Sequence, residues 1–286
     1  MRLSVIVLTK NEEEMIEGCL KSAQSLGEIL LIDDCSTDRT LEIARKYTDK
    51  IFVHKKKDFS DQRNFGLKKA TGDWVFYLDA DERVTPQLQE EISSIIHHPE
   101  PEQSSVQGSP KPSSALVYGH PSPIIHQPVA FLLKRRNFFL GKEMFPDKVH
   151  RLFRKTNLKG WRGPLHESPV FVGDEGELIN SLIHFSHRDI SLMLEGTLEW
   201  SKIEADLRFK AGHPLVCRWR LIRVMLSEFF RRFFKEKGFR FGVEGFIESV
   251  YQSFSLFITY VRLWEKQREK PLKETYKELE QKMLGD

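Results

Sequence analysis

The sequence contains few cysteines, and none is spaced to bind a metal. Its 286 residues include three, Cys19, Cys35 and Cys217, which lie far apart and form no Cys-x-x-Cys pair. We therefore expect neither a cysteine metal site nor a dithiol redox centre. An odd number of scattered cysteines is typical of a reducing compartment, which predicts a cytoplasmic protein.

Long uncharged apolar runs are also missing. No stretch of about 18 such residues occurs, so we expect no simple transmembrane helix. The chain starts directly with a strand-like segment, which predicts that it has no signal peptide. The net charge is only +3, with 44 Lys and Arg against 41 Asp and Glu, so the overall balance points to no particular partner.

The segment after the first apolar run contains no glycine. Residues 9–14, TKNEEE, cannot form the Gly-x-Gly-x-x-Gly loop of a dinucleotide oxidoreductase. They are also acidic, where a sugar nucleotidyltransferase would carry a glycine-rich basic loop. Both enzyme classes are therefore disfavoured.

Apolar segments alternate with helical segments through the first 80 residues. We predict strands over 3–8, 29–32, 51–53 and 74–78, and helices over 13–25, 39–47 and 60–70. This alternation predicts an α/β fold with a parallel, doubly wound sheet. Ligands of such sheets bind beyond the carboxyl ends of the strands. The predicted strand ends carry Asp33, Asp34, Asp79 and Asp81.

Composition divides the rest of the chain. Residues 99–128 contain seven prolines and many serines, which predicts a loop or a disordered insertion. Short strands and turns are expected from 130 to 187, and helices from 190 onward. We therefore predict a catalytic domain over 1–190 and a helical C-terminal region over 191–286.

Asp79-Ala80-Asp81 is the strongest chemical signal. Residues two apart on an extended backbone point to the same side, so both carboxylates can share a divalent cation that in turn holds a diphosphate. A solvated acidic turn is the alternative. The position of the Asp-Ala-Asp motif directly after a buried strand favours a site that binds a nucleotide-activated sugar together with Mg²⁺ or Mn²⁺.

Asp33 and Asp34 end the second predicted strand. One carboxylate there can accept the imide N–H of uracil, and the other can cap the turn at 36–38. Further polar residues near the same edge are candidates for donor contacts: Thr9, Asn11, Glu12, Arg63 and Asn64. Arg63, taken alone, is more often explained as a surface ion-pair partner.

Five ordered motifs resemble those of the family-2 glycosyltransferases. They are LTKNE (8–12), IDDCSTD (32–38), QRNFG (62–66), ATGDW (70–74) and LDADE (78–82). Four later segments are similar to the lipopolysaccharide core glucosyltransferase subgroup: RRNFFLG (135–141), RLFR (151–154), LHE (165–167) and HFS (184–186). The insertion at 99–128 departs from that subgroup. The resemblance implies the GT-A fold, which is Rossmann-like with a mostly parallel sheet, and a UDP-sugar donor.

The resemblance also implies roles for individual residues. Asp34 would bind uracil, Asp79 with Ala80 would lie at the nucleotide, and Asp81 would hold the metal. His184 matches a late histidine that reaches the metal or the diphosphate, although a plain loop histidine is the alternative. Glu167 matches the catalytic base. An inverting transfer needs one such carboxylate to take the acceptor's proton, and His166 is the alternative base.

A basic, aromatic-rich segment occupies residues 205–240, where ten Lys and Arg stand against three acids. Apolar residues at helical spacing predict one amphipathic helix: Leu215, Trp219, Ile222, Leu226, Phe229, Phe230 and Phe233. Such a helix suits an anionic membrane surface, or packs on the catalytic domain. No nucleic-acid module is evident. A second apolar helix is predicted over 242–263, and Glu244 and Glu248 argue against its spanning a bilayer.

The resemblance to this subgroup thus implies glucosyl transfer to a lipopolysaccharide core or another lipid-linked or oligosaccharide acceptor, and we expect the enzyme at the cytoplasmic face of the inner membrane. Transfer to a polyprenyl phosphate is one alternative. A second alternative is a non-catalytic membrane-binding protein. That function would not explain the carboxylates at the strand ends.

Overall fold

The computed structural model describes residues 1–97, 127–165 and 167–285. The predicted insertion at 99–128 lies outside these ranges except for its last two residues. The alternative base His166 lies outside them as well.

The N-terminal half follows the predicted alternation. Its elements are β1 (Leu3–Thr9), α1 (Ile16–Ala23), β2 (Glu28–Asp33), α2 (Thr40–Ala44), β3 (Ile51–Val53), α3 (Phe59–Lys69), β4 (Trp74–Asp79), β5 (Glu82–Val84) and α4 (Pro86–His97). All four predicted strands are confirmed. The three predicted helices are confirmed. α1 and α2 are shorter than predicted, because residues 13–15 form a turn before α1 and residues 36–39 are not helical, and α3 begins and ends one residue earlier than predicted.

The chain then forms six more strands: β6 (Ala130–Phe139), β7 (Lys142–Arg154), β8 (Leu158–Arg162), β9 (Ser168–Phe171), β10 (Glu175–Glu177) and β11 (Leu182–His184). β6 and β7 form a long hairpin. Leu140 and Gly141, the two residues of its turn, have φ angles of 46° and 83°. Positive φ at both central residues matches a right-twisting two-residue turn, which a glycine favours.

Nine strands of the described ranges form one mixed sheet in the order β3-β2-β1-β4-β7-β6-β11-β5, with β10 beside β6. The first four are parallel, whereas β7 runs antiparallel to both β4 and β6. The predicted α/β GT-A fold is confirmed, with the antiparallel half supplied by the hairpin.

Both faces of the sheet are covered, which explains why the central strands are apolar without alternation. Val5 and Val7 of β1 face a core shared with α1 and α4. Ile6, between them, faces a second core shared with α3, β8 and β9. Successive side chains point to opposite faces, so each central strand contributes to both cores.

The C-terminal region is helical: α5 (Ile190–Lys210), α6 (Arg218–Phe230), a π-helical turn (Arg231–Lys235), a 3₁₀ turn (Gly238–Phe241), α7 (Gly242–Lys266) and α8 (Leu272–Leu284). The predicted apolar positions from Trp219 to Phe233 lie on α6 and on the π-helical turn that follows it, and Leu215 precedes α6. Gly212, with a φ of 68°, and Pro214 end α5 before α6 begins. None of the helices in the described ranges has the length and apolar character needed to cross a bilayer.

Candidate active site

One cavity of about 1140 Å³ opens beyond the carboxyl ends of the parallel strands. The predicted site residues that line it are Thr9, Glu12, Asp34, Arg63, Asp79, Ala80, Asp81, Glu167 and His184. They come from β1, β2, α3, β4 and the loops around β9 and β11, so residues up to 175 positions apart in the sequence share one wall.

Asp33 and Asp34 have different roles. The Asp33 carboxylate accepts the backbone N–H of Ser36 at 2.8 Å and so fixes the turn after β2. Oδ1 of Asp34 accepts the backbone N–H of Lys56 at 2.9 Å. Oδ2 of Asp34 is buried without a hydrogen bond, although the Lys10 ammonium lies 3.2 Å away. Asp34 therefore has an acceptor atom to offer a ligand, whereas Asp33 does not.

Asn11 and Asn64 do not line the cavity, because their amides are used within the fold. Oδ1 of Asn11 accepts the backbone N–H of Thr37 at 2.8 Å. Asn64 donates to the carbonyl of Trp161 at 2.9 Å and accepts its N–H at 2.8 Å. These contacts join the loop after β1 to the turn before α2, and α3 to β8.

Thr9 and Glu12 do face the cavity. The Thr9 hydroxyl is buried without a hydrogen-bond partner in the described part of the chain. The Glu12 carboxylate accepts from Nη1 of Arg188 at 2.8 Å. Burial raises the pKa of Glu12, and the Arg188 guanidinium opposes that rise.

Asp79 is held by arginines. Nη2 of Arg151 contacts its Oδ2 at 2.5 Å, and Nη2 of Arg63 contacts its Oδ1 at 3.3 Å. Burial alone would raise the pKa of Asp79, but these guanidinium groups and that of Arg135 hold it well below its ordinary value. The two acids of the Asp-x-Asp motif therefore differ: Asp79 is neutralised within the protein, and Asp81 is not part of this ion-pair group.

Arg151 also contacts Glu82 at 2.5 Å, and Glu82 is fully buried. Arg135 approaches the same carboxylate at 3.2 Å. The pKa of Arg151 is raised, because the charges of Asp79 and Glu82 outweigh the effect of burial. Two acids and two arginines thus form one ion-pair group at the cavity wall, with Glu82 and Arg151 buried and Asp79 and Arg135 partly exposed.

Asp81 and His184 form a separate pair, with 3.3 Å between Oδ2 and Nε2. Nδ1 of His184 lies 2.7 Å from the side-chain oxygen of Asn137. A hydrogen bond at one ring nitrogen orients the other, as is common for metal-binding histidines. Within residues 1–97, 127–165 and 167–285, no group of three or more His, Cys, Asp or Glu residues is arranged to hold a metal. The pair fits a cation that takes its other ligands from a diphosphate, which is how Mg²⁺ is commonly bound.

Glu167 lies on the same wall, with its Oε1 2.7 Å from Nε of Arg63. Arg63 is therefore an ion-pair partner, as the alternative prediction had it. It is only 6% exposed, however, so this ion pair is buried and does not lie on the surface. Its guanidinium also lies 4.9 Å from the centre of the Trp161 ring. Arg63 therefore connects Asp79 and Glu167 and fixes the position of the predicted base.

Sequence reasoning missed four charged residues of this site: Glu82, Arg135, Arg151 and Arg188. A signal for Arg151 existed, because it is a single charge directly before the apolar pair Leu152 and Phe153 of a strand. A charged residue in such a position is rarely buried unless it is paired. No comparable pattern marks Arg188.

Comparison with known proteins gives consistent results. The model of the family "Glycosyl transferase family 2" matches residues 4–161. An uncharacterised glycosyltransferase of Rickettsia conorii is 27% identical over 92% of this chain and 90% of its own length. The lipopolysaccharide core biosynthesis glycosyltransferase LpsC of Rhizobium meliloti is 22% identical over 92% of each chain. The crystal structure of Staphylococcus aureus TarS 1–349 with UDP-GlcNAc is 15% identical, with a TM-score of 0.43, covering 97% of this chain and 92% of that one.

The ion-pair group around Arg151 yields a prediction about stability. Arg151→Met should lower the free energy of unfolding by about 3–5 kcal/mol, because it leaves Asp79 and the buried Glu82 without their shared partner. The control is Arg136→Met, whose pair with Glu143 is exposed and should contribute much less. Urea unfolding at pH 7 measures both, and equal losses would contradict the assignment.

The same variant should change the dependence of stability on pH. Because the folded pKa of Asp79 lies below its unfolded value, ionised Asp79 stabilises the fold above pH ~3.9, and this stabilisation is lost as the pH falls through the folded pKa. Removing Arg151 raises the folded pKa toward the unfolded value, so the stability that depends on ionised Asp79 should be smaller in the variant, and its loss on acidification should be complete at a higher pH than in the wild type.

Proposed function

Because the chain belongs to the family-2 glycosyltransferases, we propose that it transfers glucose from UDP-glucose to the lipopolysaccharide core or another lipid-linked or envelope glycan, with inversion at the anomeric carbon. Membership of this enzyme family makes the alternative of a non-catalytic membrane-binding protein wrong. The observation that carries the proposal is that Asp34, Asp81 and Glu167 line one cavity. The name of LpsC supports the choice of acceptor.

In this proposal the donor spans the cavity from Asp34 to Asp81. The free Oδ2 of Asp34 accepts the imide N–H of uracil, and Thr9 and Glu12 lie beside the base and the ribose. Asp79, Ala80 and Arg63 line the middle of the site. The cations Lys10 and Arg188 also line the cavity, where Lys10 pairs with Asp34 and Arg188 pairs with Glu12.

Asp81 and His184 would hold Mg²⁺ or Mn²⁺ together with the phosphates of the donor. When bound, the cation would stabilise the negative charge that develops on the departing diphosphate. The protein's own contribution is to hold His184 in place through Asn137 and to keep the Asp81 carboxylate out of the arginine group that neutralises Asp79.

The chemical step is a direct displacement. Glu167 takes the proton of the acceptor hydroxyl as its oxygen bonds to the anomeric carbon of the donor, and the bond from that carbon to the diphosphate oxygen breaks. UDP leaves with the electron pair. Arg63 positions the carboxylate through its 2.7 Å contact. His166 remains the alternative base.

We further propose that the enzyme acts at the membrane surface, on the cytoplasmic face of the inner membrane. Exposed apolar residues recur every three or four positions along α6 and α7: Trp219, Ile222, Leu226, Phe230, Val243, Phe246, Val250 and Phe254. The two helices pack against each other. A lipid-linked acceptor presents its sugar close to such a surface.

Exposed cations accompany this apolar surface: Arg218, Arg223, Lys235, Lys237 and Arg240. Arg231 and Arg232 belong to a different group, because they pair with Glu228 and Glu236. Apolar side chains that insert and free cations that attract anionic lipid together favour interfacial binding.

Metal dependence is tested at Asp81. Asp81→Asn keeps the shape and removes the charge, so UDP release from UDP-glucose with Mn²⁺ or Mg²⁺ should fall by about 10²-fold or more. Asp49→Asn, at an exposed position outside the cavity, should match the wild type. Undiminished turnover of the wild type in excess EDTA would rule out the role given to the metal.

The base is tested by Glu167→Gln. Loss of proton acceptance should lower kcat by about 10²–10⁴-fold and leave the KM for the donor nearly unchanged. The acidic limb of the pH profile of kcat, which reports protonation of the base, should disappear. The exposed Glu265→Gln serves as the control. An active Glu167→Gln alongside an inactive His166→Ala would transfer the role to His166.

Membrane association is tested by sedimentation with liposomes. The triple variant Arg218→Gln, Arg223→Gln and Arg240→Gln should bind anionic liposomes about 10²-fold more weakly, because each cation contributes about 1 kcal/mol. Raised salt should weaken wild-type binding in the same direction. The control replaces three exposed lysines of α8: Lys273, Lys277 and Lys282. Equal recovery of the wild type in the supernatant with anionic, neutral and no liposomes would contradict the proposal.

A further inference from the structure

The cavity continues past the predicted donor site into a space between α5, α6 and α7, here called the helical chamber. The residues that define it are Trp200, Ser201, Glu204, Arg208, Gln252 and Thr259. At about 1140 Å³ the whole cavity exceeds the ~300–1,000 Å³ of typical small-molecule sites. It therefore has room for a second ligand beside the donor.

Two contacts connect the chamber to the donor site. The His187 ring lies 6.3 Å from that of Trp200, centre to centre, and His187 is three residues after the Asp81 partner His184. On the other side, the Lys56 ammonium pairs with Glu199 of α5 at 2.9 Å, while the Lys56 backbone binds Asp34. A ligand in the chamber would thus border both ends of the donor.

The charges within the chamber cancel. Arg208 pairs with Glu204 at 2.7 Å. Arg231 pairs with Glu228 at the opposite wall. The remaining polar groups are hydroxyls and an amide. A chamber without excess positive charge does not favour a phosphate, whereas its mixture of donors and acceptors matches the hydroxyl groups of a neutral sugar.

Two buried polar atoms of the chamber have no hydrogen-bond partner within the described ranges: the hydroxyl of Ser201 and Nε of Arg208. Ser201 is only 2% exposed. Buried polar atoms without partners are rare and costly, so each requires an explanation. Both lie on α5 along the chamber wall, where a ligand with hydroxyl groups would satisfy them.

We propose that the helical chamber binds the acceptor, and that it recognises a neutral, hydroxyl-rich sugar ring of that acceptor rather than its phosphate or carboxylate groups. The proposal rests on the glycosyltransferase function above and specifies its acceptor. Ser201 and Arg208 donate to ring hydroxyls, Glu204 accepts from them, and Trp200 offers an apolar face.

The experiment compares the binding of methyl α-glucoside and glucose 6-phosphate in the presence of UDP, by saturation-transfer NMR titration. The wild type should bind the neutral glycoside at least about tenfold more tightly. Combining Ser201→Ala with Arg208→Met should weaken that binding at least about tenfold. The control combines Ser227→Ala and Arg39→Met. Ser227 bonds to the carbonyl of Val224 within its own helix, and Arg39 pairs with Glu42 on α2.

A second variant tests whether the balanced charge of the chamber sets its preference for a neutral sugar. Its expected result is a change of preference between two ligands and not a loss of binding. Glu204→Gln leaves the chamber with an excess positive charge, so it should shift the preference at least about tenfold toward glucose 6-phosphate. Tighter binding of the phosphate by the wild type, no detectable binding of the glycoside, or equal affinities in all variants would each overturn the proposal. Calorimetry with UDP-glucose distinguishes failure of this proposal from failure of the proposed function: glycoside binding without UDP-glucose binding would refute UDP-glucose as the donor and retain the chamber as a glycan site.

Discussion

The guanidinium of Arg151 is the constraint on which the rest of the site depends. It lies between two carboxylates, the partly buried Asp79 at the end of β4 and the fully buried Glu82 at the start of β5, and contacts both at 2.5 Å. Without a cation there, two like charges would share a desolvated space, which proteins avoid. Since Arg151 belongs to β7, the ion pair also joins the hairpin to the parallel strands.

This arrangement separates the roles of neighbouring acids. Asp79 and Asp81 are two residues apart, yet the first is bound by arginines and the second faces His184. Asp33 and Asp34 divide in the same way, one holding a turn and the other keeping an oxygen free. In each pair, the carboxylate of one acid is bound within the protein, and in our proposal the carboxylate of the other contacts a ligand. A buried acid can serve the fold only when its charge is compensated within it.

The C-terminal helices contribute to two different surfaces. α5 turns Ser201, Glu204 and Arg208 toward the cavity, while α6 and α7 expose Trp219 and Phe246 to solvent. In our proposal the first surface receives the acceptor sugar and the second holds the enzyme at the lipid surface. A single helical layer would then position both the protein and its substrate relative to the membrane.

The order of strands and helices through residue 79 was determined by the sequence, because continuous apolar runs form buried strands and polar residues such as Asp33 and Asp79 collect at their ends. Local patterns of this kind depend on near neighbours along the chain. They also predicted the helical character of the C-terminal region, which the structure divides into α5 and α6 at Gly212 and Pro214.

Only the tertiary structure decided which polar residues meet. Arg63 reaches Glu167 across 104 positions, and Arg188 reaches Glu12 across 176. Asn11 and Asn64 are polar residues near the same strand ends, but their side-chain amides form hydrogen bonds with Thr37 and Trp161 within the fold. A hydrogen bond depends on distances of about 3 Å between atoms, and residue type alone does not say which of several polar side chains the folded backbone brings within that distance.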